Sequence, residues 1–279
     1  MPTTATITGL FVYPVKSARG IEKSRVRVTA TGFEWDRQWM LIDAKGTFLS
    51  QRTHPQLARI VPRVTATALV LSAPDLPALS LPLSDDGQRL PVRVHKDACV
   101  GVDQGREASG WASRAVGERV RLVRVPPLPE RRANPAFAGI LSAPMGFADG
   151  FPVLVCNQAS LEALNRRMPE AIPMERFRPN MILQGLPAWA EDRIDTLEVG
   201  DLRLRLVKPC TRCTIPSIDQ RTGLSSTDPG PVLRTFRFSK ELLGIMFGEN
   251  AVIASGTGCE IDRGATCRVT YEPAAATAS

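Results

Sequence analysis

Leu202-Arg203-Leu204-Arg205-Leu206-Val207-Lys208-Pro209-Cys210-Thr211-Arg212-Cys213 is the stretch that sets both the fold class and the chemistry. Leu202, Leu204 and Leu206 alternate with Arg203 and Arg205. A period of two puts the leucines on one face and the arginines on the other, the pattern of a strand with one buried side. Lys208 to Cys213 then falls at the strand's end or in the loop beyond it, where sites commonly lie. The same alternation recurs in Arg25-Val26-Arg27-Val28, and in Val92 and Val94 against Arg93 and His95. Gln38-Trp39-Met40-Leu41-Ile42 reads as a short buried strand before the turn Asp43-Ala44-Lys45-Gly46. Gly, Pro and Asp separate these runs, which predicts a barrel or sandwich and not alternating β–α units.

Few helices are expected. Trp111, Ala112, Ala115 and Val116 share one face of a helix over 109–116, with Gly117 as its stop and a strand over 119–125 after it. Pro126, Pro127, Pro129 and Pro135, interleaved with Arg131 and Arg132, mark a domain junction. The expected domains are 1–125 and 136–275. Beyond the junction, a buried strand over 151–155 precedes a helix capped by Asn157, with Leu161, Leu164 and Met168 on one face. Asn180 to Leu183 reads as one strand and Thr196 to Val207 as another. The helix formers Lys240-Glu241-Leu242-Leu243 predict a helix around 231–246, followed by strands over 251–255 and 265–271. The fold class expected is therefore β-rich α+β, with an N-terminal β-barrel-like domain before a second barrel carrying a few helices.

The 279 residues, 43% of them hydrophobic, are enough to bury a real core. No apolar run approaches the length of a membrane span, and Met1 to Thr8 lacks the basic-then-apolar pattern of a signal peptide, so a cytoplasmic protein without a membrane anchor is expected. The net charge of +7 is spread along strands without a block of like charges. That distribution argues against a nucleic-acid groove and for a small anionic ligand held by a few Arg and Lys.

Of the six cysteines, Cys99, Cys156, Cys259 and Cys267 are isolated or loosely spaced and read as core residues. Cys210 and Cys213 form the one tight pair, which has three readings. A structural zinc site needs four ligands. A redox dithiol needs a helix to begin at the pair, and Thr214-Ile215-Pro216 is a poor helix start. A single thiolate bound to a soft or intermediate metal is the third, and Lys208 and Arg212 would favour the thiolate. Tyr13-Pro14-Val15-Lys16-Ser17-Ala18-Arg19-Gly20 places two cations, a hydroxyl and a glycine in one loop, a composition suited to an oxyanion. Glu34-Trp35-Asp36-Arg37-Gln38-Trp39 contains an arginine beside carboxylates, and Arg176-Phe177-Arg178-Pro179-Asn180 a planar fork and an amide on either side of a fixed backbone. His54 and His95 are isolated and read as structural.

These segments occur in an order that resembles the MOSC family, and within it the amidoxime-reducing branch, which carries an N-terminal β-barrel domain. The resemblance runs from about Ile7 to Val269. It rests on Tyr-Pro-Val-Lys-Ser near the start, Asp36-Arg37 with Trp39, Gln51-Arg52, Phe177-Arg178-Pro179-Asn180, and Cys-Thr-Arg-Cys followed by Asp219 and Thr222-Gly223. It implies a molybdenum–pterin cofactor (Mo-molybdopterin) with Cys213 as the metal ligand and catalytic residue. Lys16, Ser17, Arg37, Arg178, Asn180, Thr211 and Arg212 would surround the pterin and its phosphate. The implied reaction is reduction of N-hydroxylated small molecules, amidoximes or hydroxylamines, with loss of the N-bound oxygen. Electrons would come from a separate donor protein of ferredoxin, flavin or haem type. The alternative implied by the same resemblance is a carrier module for molybdenum cofactor or sulfur without turnover of its own. Cys210 is expected to pack.

Overall fold

The strand that opens the chain, Thr3–Val12, pairs with Met181–Gln184 on one edge and with Thr266–Tyr271 on the other. From Thr266–Tyr271 the sheet continues through Ile194–Val199, Leu202–Thr211 and Gly244–Ser255 to Val153–Asn157. Val153–Asn157 pairs back onto Met181–Gln184, so seven strands close into a barrel and its sheet has no free edge. Ile7, Val155, Leu183, Leu197, Leu204 and Cys267 are fully buried in its core. The alternation that began the reading is kept: Leu202, Leu204 and Leu206 point inward, and Arg203 and Arg205 point to solvent. The computed structural model describes residues 3–141 and 143–273.

Two expectations are corrected. Thr196 to Val207 is not one strand but an antiparallel hairpin, with Val199 opposite Leu202 and only Gly200-Asp201 between them. Gly200 has φ +54°, which a two-residue hairpin turn requires and glycine adopts without strain. The helix expected around 231–246 exists only over Gly230–Arg234. The helix formers after it make a turn in which Leu243 has φ +51° and is exposed, and the chain then enters the strand Gly244–Ser255. That strand pairs with Leu202–Thr211 along most of its length and buries Ile245 and Phe247, so long-range pairing overrides a weak local propensity.

The remaining elements follow the sequence closely. The helix Gly105–Val116 buries Trp111, Ala112 and Val116 and stops at Gly117, whose φ is +86°. Asn157 caps the helix Gln158–Asn165 by accepting the Ala159 N–H. In the N-terminal half, Trp39–Ile42, Arg121–Arg124, Asp97–Asp103 and Arg89–Val94 form one sheet, and Val61–Val64, Ala68–Ala73 and Leu76–Pro82 a second. Trp39, Leu41, Leu57, Leu69, Leu71 and Leu122 pack between them with Trp111, a half-barrel closed by the helix.

The halves interlock. Thr3–Val12 lies within the span expected for the N-terminal domain yet is a barrel strand, and Arg25–Thr29 pairs with Glu260–Asp262 near the other end of the chain. The Pro-rich segment is anchored by Arg131, which is buried and donates to the carbonyls of Gly146 and Ala148, each at 2.7 Å. These crossings bring the loop after the first strand, the loop before Trp39 and the end of strand Leu202–Thr211 to one place.

Candidate functional site

A cleft of about 360 Å³ opens between the barrel and the half-barrel. Lys16, Ser17, Arg37, Arg178, Asn180, Thr211, Arg212 and Cys213 all line it, so the structure brings together every site residue expected from sequence. They come from four segments and meet because the first strand runs beside Met181–Gln184, which carries Arg178 and Asn180 at its start.

The cleft's floor is a cross-linked stack. Tyr13 is fully buried, and the guanidinium groups of Arg37 and Arg178 each lie 4.3 Å from its ring centroid. Arg37 donates to both oxygens of buried Asp36 (2.8 and 2.6 Å), to Asn180 Oδ1 (3.1 Å) and to the Arg178 carbonyl (3.3 Å). Asp36 also accepts the Tyr13 N–H at 2.8 Å, and Tyr13 Oη donates to the Pro179 carbonyl at 3.1 Å. Asn180 is largely committed to the fold: Oδ1 also accepts the Leu154 N–H, and Nδ2 donates to the Phe11 carbonyl, each at 3.1 Å. Burial pushes the Arg178 guanidinium down to about 10, with Tyr13 working in the opposite direction. Lys16 is buried and donates to the Phe147 carbonyl at 2.8 Å and to Asp149.

The backbone at the cleft is unusual. Among the described residues, eight that are not glycine have positive φ, and Ser17, Arg37, His95 and Arg178, which all line the cleft, are four of them. Such conformations persist only where the surroundings over-determine them, and they concentrate at binding sites. For Arg37 the cause is visible: its N–H donates to the Tyr13 carbonyl and its carbonyl accepts the Phe147 N–H, both at 2.8 Å.

The rim differs. Strand Leu202–Thr211 ends as Thr211 reaches solvent, and Cys213 is exposed beyond it. Between them Arg212 turns back: its N–H donates to Ile245, Nη2 to the Phe177 carbonyl at 2.7 Å, and Nη1 to Cys210 Sγ at 3.0 Å. Cys210 is half-buried and packed against the cluster that contains Phe177, Phe247 and Ile182, and it also holds Arg212.

The sequence model of the MOSC N-terminal beta barrel domain matches residues 4–119, and that of the MOSC domain residues 143–268. Mitochondrial amidoxime-reducing component 1 of Mus musculus is 30% identical over 254 residues, covering 88% of this chain and 75% of the mouse protein. This chain belongs to the MOSC family. The human amidoxime-reducing component 1 is 31% identical over 242 residues, covering 83% of this chain and 72% of the human one. Molybdenum cofactor sulfurase of Bos taurus is 28% identical over 260 residues, which span 86% of this MOSC protein but 30% of the sulfurase.

In this MOSC protein the site includes residues that local sequence reading missed. Gln51 is fully buried and exchanges two hydrogen bonds with Gln220 (3.0 and 2.8 Å), and Gln220 Oε1 also receives Arg178 Nη1 at 3.0 Å. Asp149, His95 and Asn250 also line the cleft, as do Arg52 and Lys208 from segments the sequence had singled out. Gln51-Arg52 stood out as a motif, but its partner at position 220 had no local signal. His95, read as structural, faces the cleft and meets Asp149 at 3.0 Å.

The residues fit an anionic cofactor with a soft metal. The lining holds six cations, Lys16, Arg37, Arg52, Arg178, Lys208 and Arg212, against one carboxylate, Asp149. Arg212 Nε is buried without a protein partner, a donor left over for a ligand. Burial works against the Arg212 charge, but the thiols of Cys210, Cys156 and Cys213 hold its pKa above the ordinary value. Among the described residues no group of three or more His, Cys, Asp and Glu side chains could hold a metal ion.

Proposed function

We propose that this MOSC protein is a molybdenum-cofactor-dependent oxidoreductase that reduces N-hydroxylated small molecules, amidoximes and hydroxylamines, with electrons from a separate redox protein. One observation carries the reading: six cations and one exposed thiol line a single cleft, drawn from segments far apart in the chain. The names of the relatives, amidoxime-reducing component and molybdenum cofactor sulfurase, support the reaction class and the cofactor.

When bound, a molybdenum–pterin group supplies a two-electron centre able to take oxygen from an N–O bond. The chain's residues do the rest. Cys213 offers the thiolate ligand at the open rim, where a small substrate reaches it from solvent. Arg212, the residue before that ligand, is fixed by Cys210 and the Phe177 carbonyl. Lys16, Ser17 and Arg37 line the same cleft and would offer donors to the cofactor's phosphate. Arg178 and Asn180 hold the floor between them, Asn180 by fixing Arg37. Reduction of an N-hydroxyl group to N–H and water consumes two electrons and two protons. The cleft's side chains are not themselves an electron source, and in this reading a separate redox protein supplies the electrons.

The test is elemental and pterin analysis of the full chain made in a molybdenum-replete host, followed by turnover assays. The expected result is bound molybdenum and pterin, no amidoxime reduction with NADH alone, and turnover with a reduced viologen or with a reductase and a small redox carrier. Metal and pterin without turnover under a competent reductant would favour the carrier reading. Absence of both would overturn the proposal, as would activity with NADH and no partner.

A further inference from the structure

The six cations of the cleft face a single acid, and its position is built with care. Asp149 sits in the loop that precedes strand Val153–Asn157. Buried Arg131 grips that loop by the carbonyls of Gly146, Ala148 and Asp149. Asp149 Oδ1 receives Lys16 Nζ from one side and meets His95 Nε2 at 3.0 Å on the other. His95 comes from the half-barrel, at the end of strand Arg89–Val94, with φ +54°. Its ring packs edge-on against Phe48, whose face lies 4.8 Å from Lys16 Nζ and 5.9 Å from the Arg52 guanidinium.

Lys16 is the buried member, and Asp149 and His95 are open to solvent, with side-chain exposures of 64% and 39%. An ammonium has three donors. Here one goes to the Phe147 carbonyl and one to Asp149. Asp149 thus already holds one anion position on Lys16, and a dianion taking up the third donor would stand beside a carboxylate. The approach is unfavourable unless the Asp149 charge is cancelled, and His95, already in contact, is the group that can do it.

We propose that Asp149 and His95 determine which anions the Lys16 subsite accepts: Asp149 is the internal counter-ion of Lys16, and His95 takes it over, with a proton from solvent, when a dianionic phosphate ester binds. This rests on the cofactor reading above and deepens it. Histidine is the side chain that gains charge between about pH 5 and 8. The charged groups around its ring are Asp149 and Lys16 across the cleft, Arg52 beyond Phe48, and Arg93, Lys96 and Asp97 on its own hairpin, Asp97 being engaged by Arg131. Desolvation at the cleft wall works against the Asp149 charge, but Lys16 and then His95 hold that carboxyl well below the usual range. It therefore stays ionised around neutral pH. By linkage, an anion that binds better beside protonated His95 must draw a proton onto it.

The test is calorimetric titration of the cofactor-free full chain with sulfate, a dianion that does not titrate in this interval. Wild-type protein is expected to bind sulfate roughly tenfold more tightly near pH 5.5 than near pH 8, and to take up protons as it binds. His95→Gln should bind at the weaker level at both pH values, with His95→Asn as a second variant and circular dichroism as the check on folding. Asp149→Asn should bind at least as tightly as wild type at both pH values, with a smaller pH dependence. The same pH dependence in both His95 variants as in wild type, or weaker binding in Asp149→Asn, would overturn the proposal. Wild-type binding without pH dependence overturns this inference alone. No sulfate binding at any pH, with no pterin in protein from a molybdenum-replete host, would overturn the cofactor reading beneath it.

Discussion

The two sides of the cleft are built on opposite principles. On the floor, Tyr13, Asp36, Arg37, Arg178 and Asn180 are buried or nearly so, and each polar group is tied to another. On the rim, Cys213 is exposed at the end of a strand, and Arg212 alone among its neighbours is anchored through several contacts. A buried ion pair that loses one member leaves an uncompensated charge, whereas an exposed side chain can be replaced at almost no structural cost. The floor must therefore couple ligand binding to stability, and the rim must separate chemistry from stability.

The largest expected effect is at the rim. Cys213→Ser should abolish amidoxime reduction and remove one sulfur neighbour from the molybdenum X-ray absorption spectrum. Its unfolding free energy should change by no more than about 0.5 kcal/mol. An active Cys213→Ser protein, or one that unfolds, would break the comparison at its clearest point.

Next is the floor. Arg37→Ala strands Asp36, which is 3% exposed, with the Tyr13 N–H as its one hydrogen-bond partner among the described residues. Denaturant unfolding should show a loss of roughly 3 to 5 kcal/mol, the usual effect of breaking a buried pair. Pterin retention through dialysis should weaken roughly tenfold or more, since a charge-assisted contact is lost as well. Full stability with reduced pterin would show that the floor separates the two functions as the rim does.

The sequence announced the rim more clearly than the floor. Cys210-Thr211-Arg212-Cys213 is contiguous, and the alternation before it placed it at a strand end, where the structure has it. The floor depends on pairings between residues about 140 to 170 positions apart, such as Arg37 with Asn180 and Gln51 with Gln220, which no local pattern encodes. The cations were legible because their types and order were distinctive, but Asp149 stood in an ordinary loop and His95 in an ordinary strand. The failed helix around 231–246 has the same origin. Lys240 to Leu243 have helix propensity, but Gly244–Ser255 gains far more by pairing with Leu202–Thr211 and burying Phe247. Local preference is worth tenths of a kcal/mol per residue, and burial of one large apolar side chain about 1.5 to 3.

A third group sharpens the contrast between paired and unpaired burial. Glu249, one residue before Asn250 of the cleft, is 4% exposed and its Oε1 has no partner. Burial, reinforced by Asp192 and Glu191, pushes its carboxyl up to about 9. A raised acid binds its proton more tightly in the folded state, so its contribution to stability is full below the unfolded value near 4.5 and falls as pH rises towards 9. Within that window each pH unit removes about 1.4 kcal/mol. Glu249→Gln, which cannot ionise, should match wild type near pH 5 and exceed it by about 2 to 3 kcal/mol near pH 7. Unfolding curves at the two pH values decide it, because other titrations cancel in the difference. A constant difference between the proteins would mean that Glu249 is already charged when folded.

The smallest effect expected is at Cys210, and it tests whether the rim is one unit or two. Cys210 shares the loop with Cys213, and spacing alone allows them to act as a pair. The geometry gives them different surroundings: Cys213 faces solvent, whereas Cys210 is half-buried against the cluster that contains Phe177 and accepts Arg212 Nη1 at 3.0 Å. A serine at 210 keeps an acceptor for the guanidinium and loses only a polarisable sulfur from the contact. Cys210→Ser should therefore cost less than about 1 kcal/mol and retain most activity. Alanine removes the acceptor and leaves a donor of Arg212 unmatched in a half-buried place, so Cys210→Ala should cost about 1 to 2 kcal/mol and lower activity through the arginine beside Cys213. Activity and unfolding measured on both variants separate the roles. If Cys210→Ser loses activity as completely as Cys213→Ser, the two thiols act together, as a dithiol or a two-cysteine metal site, and the division between an anchored Cys210 and a free Cys213 is wrong.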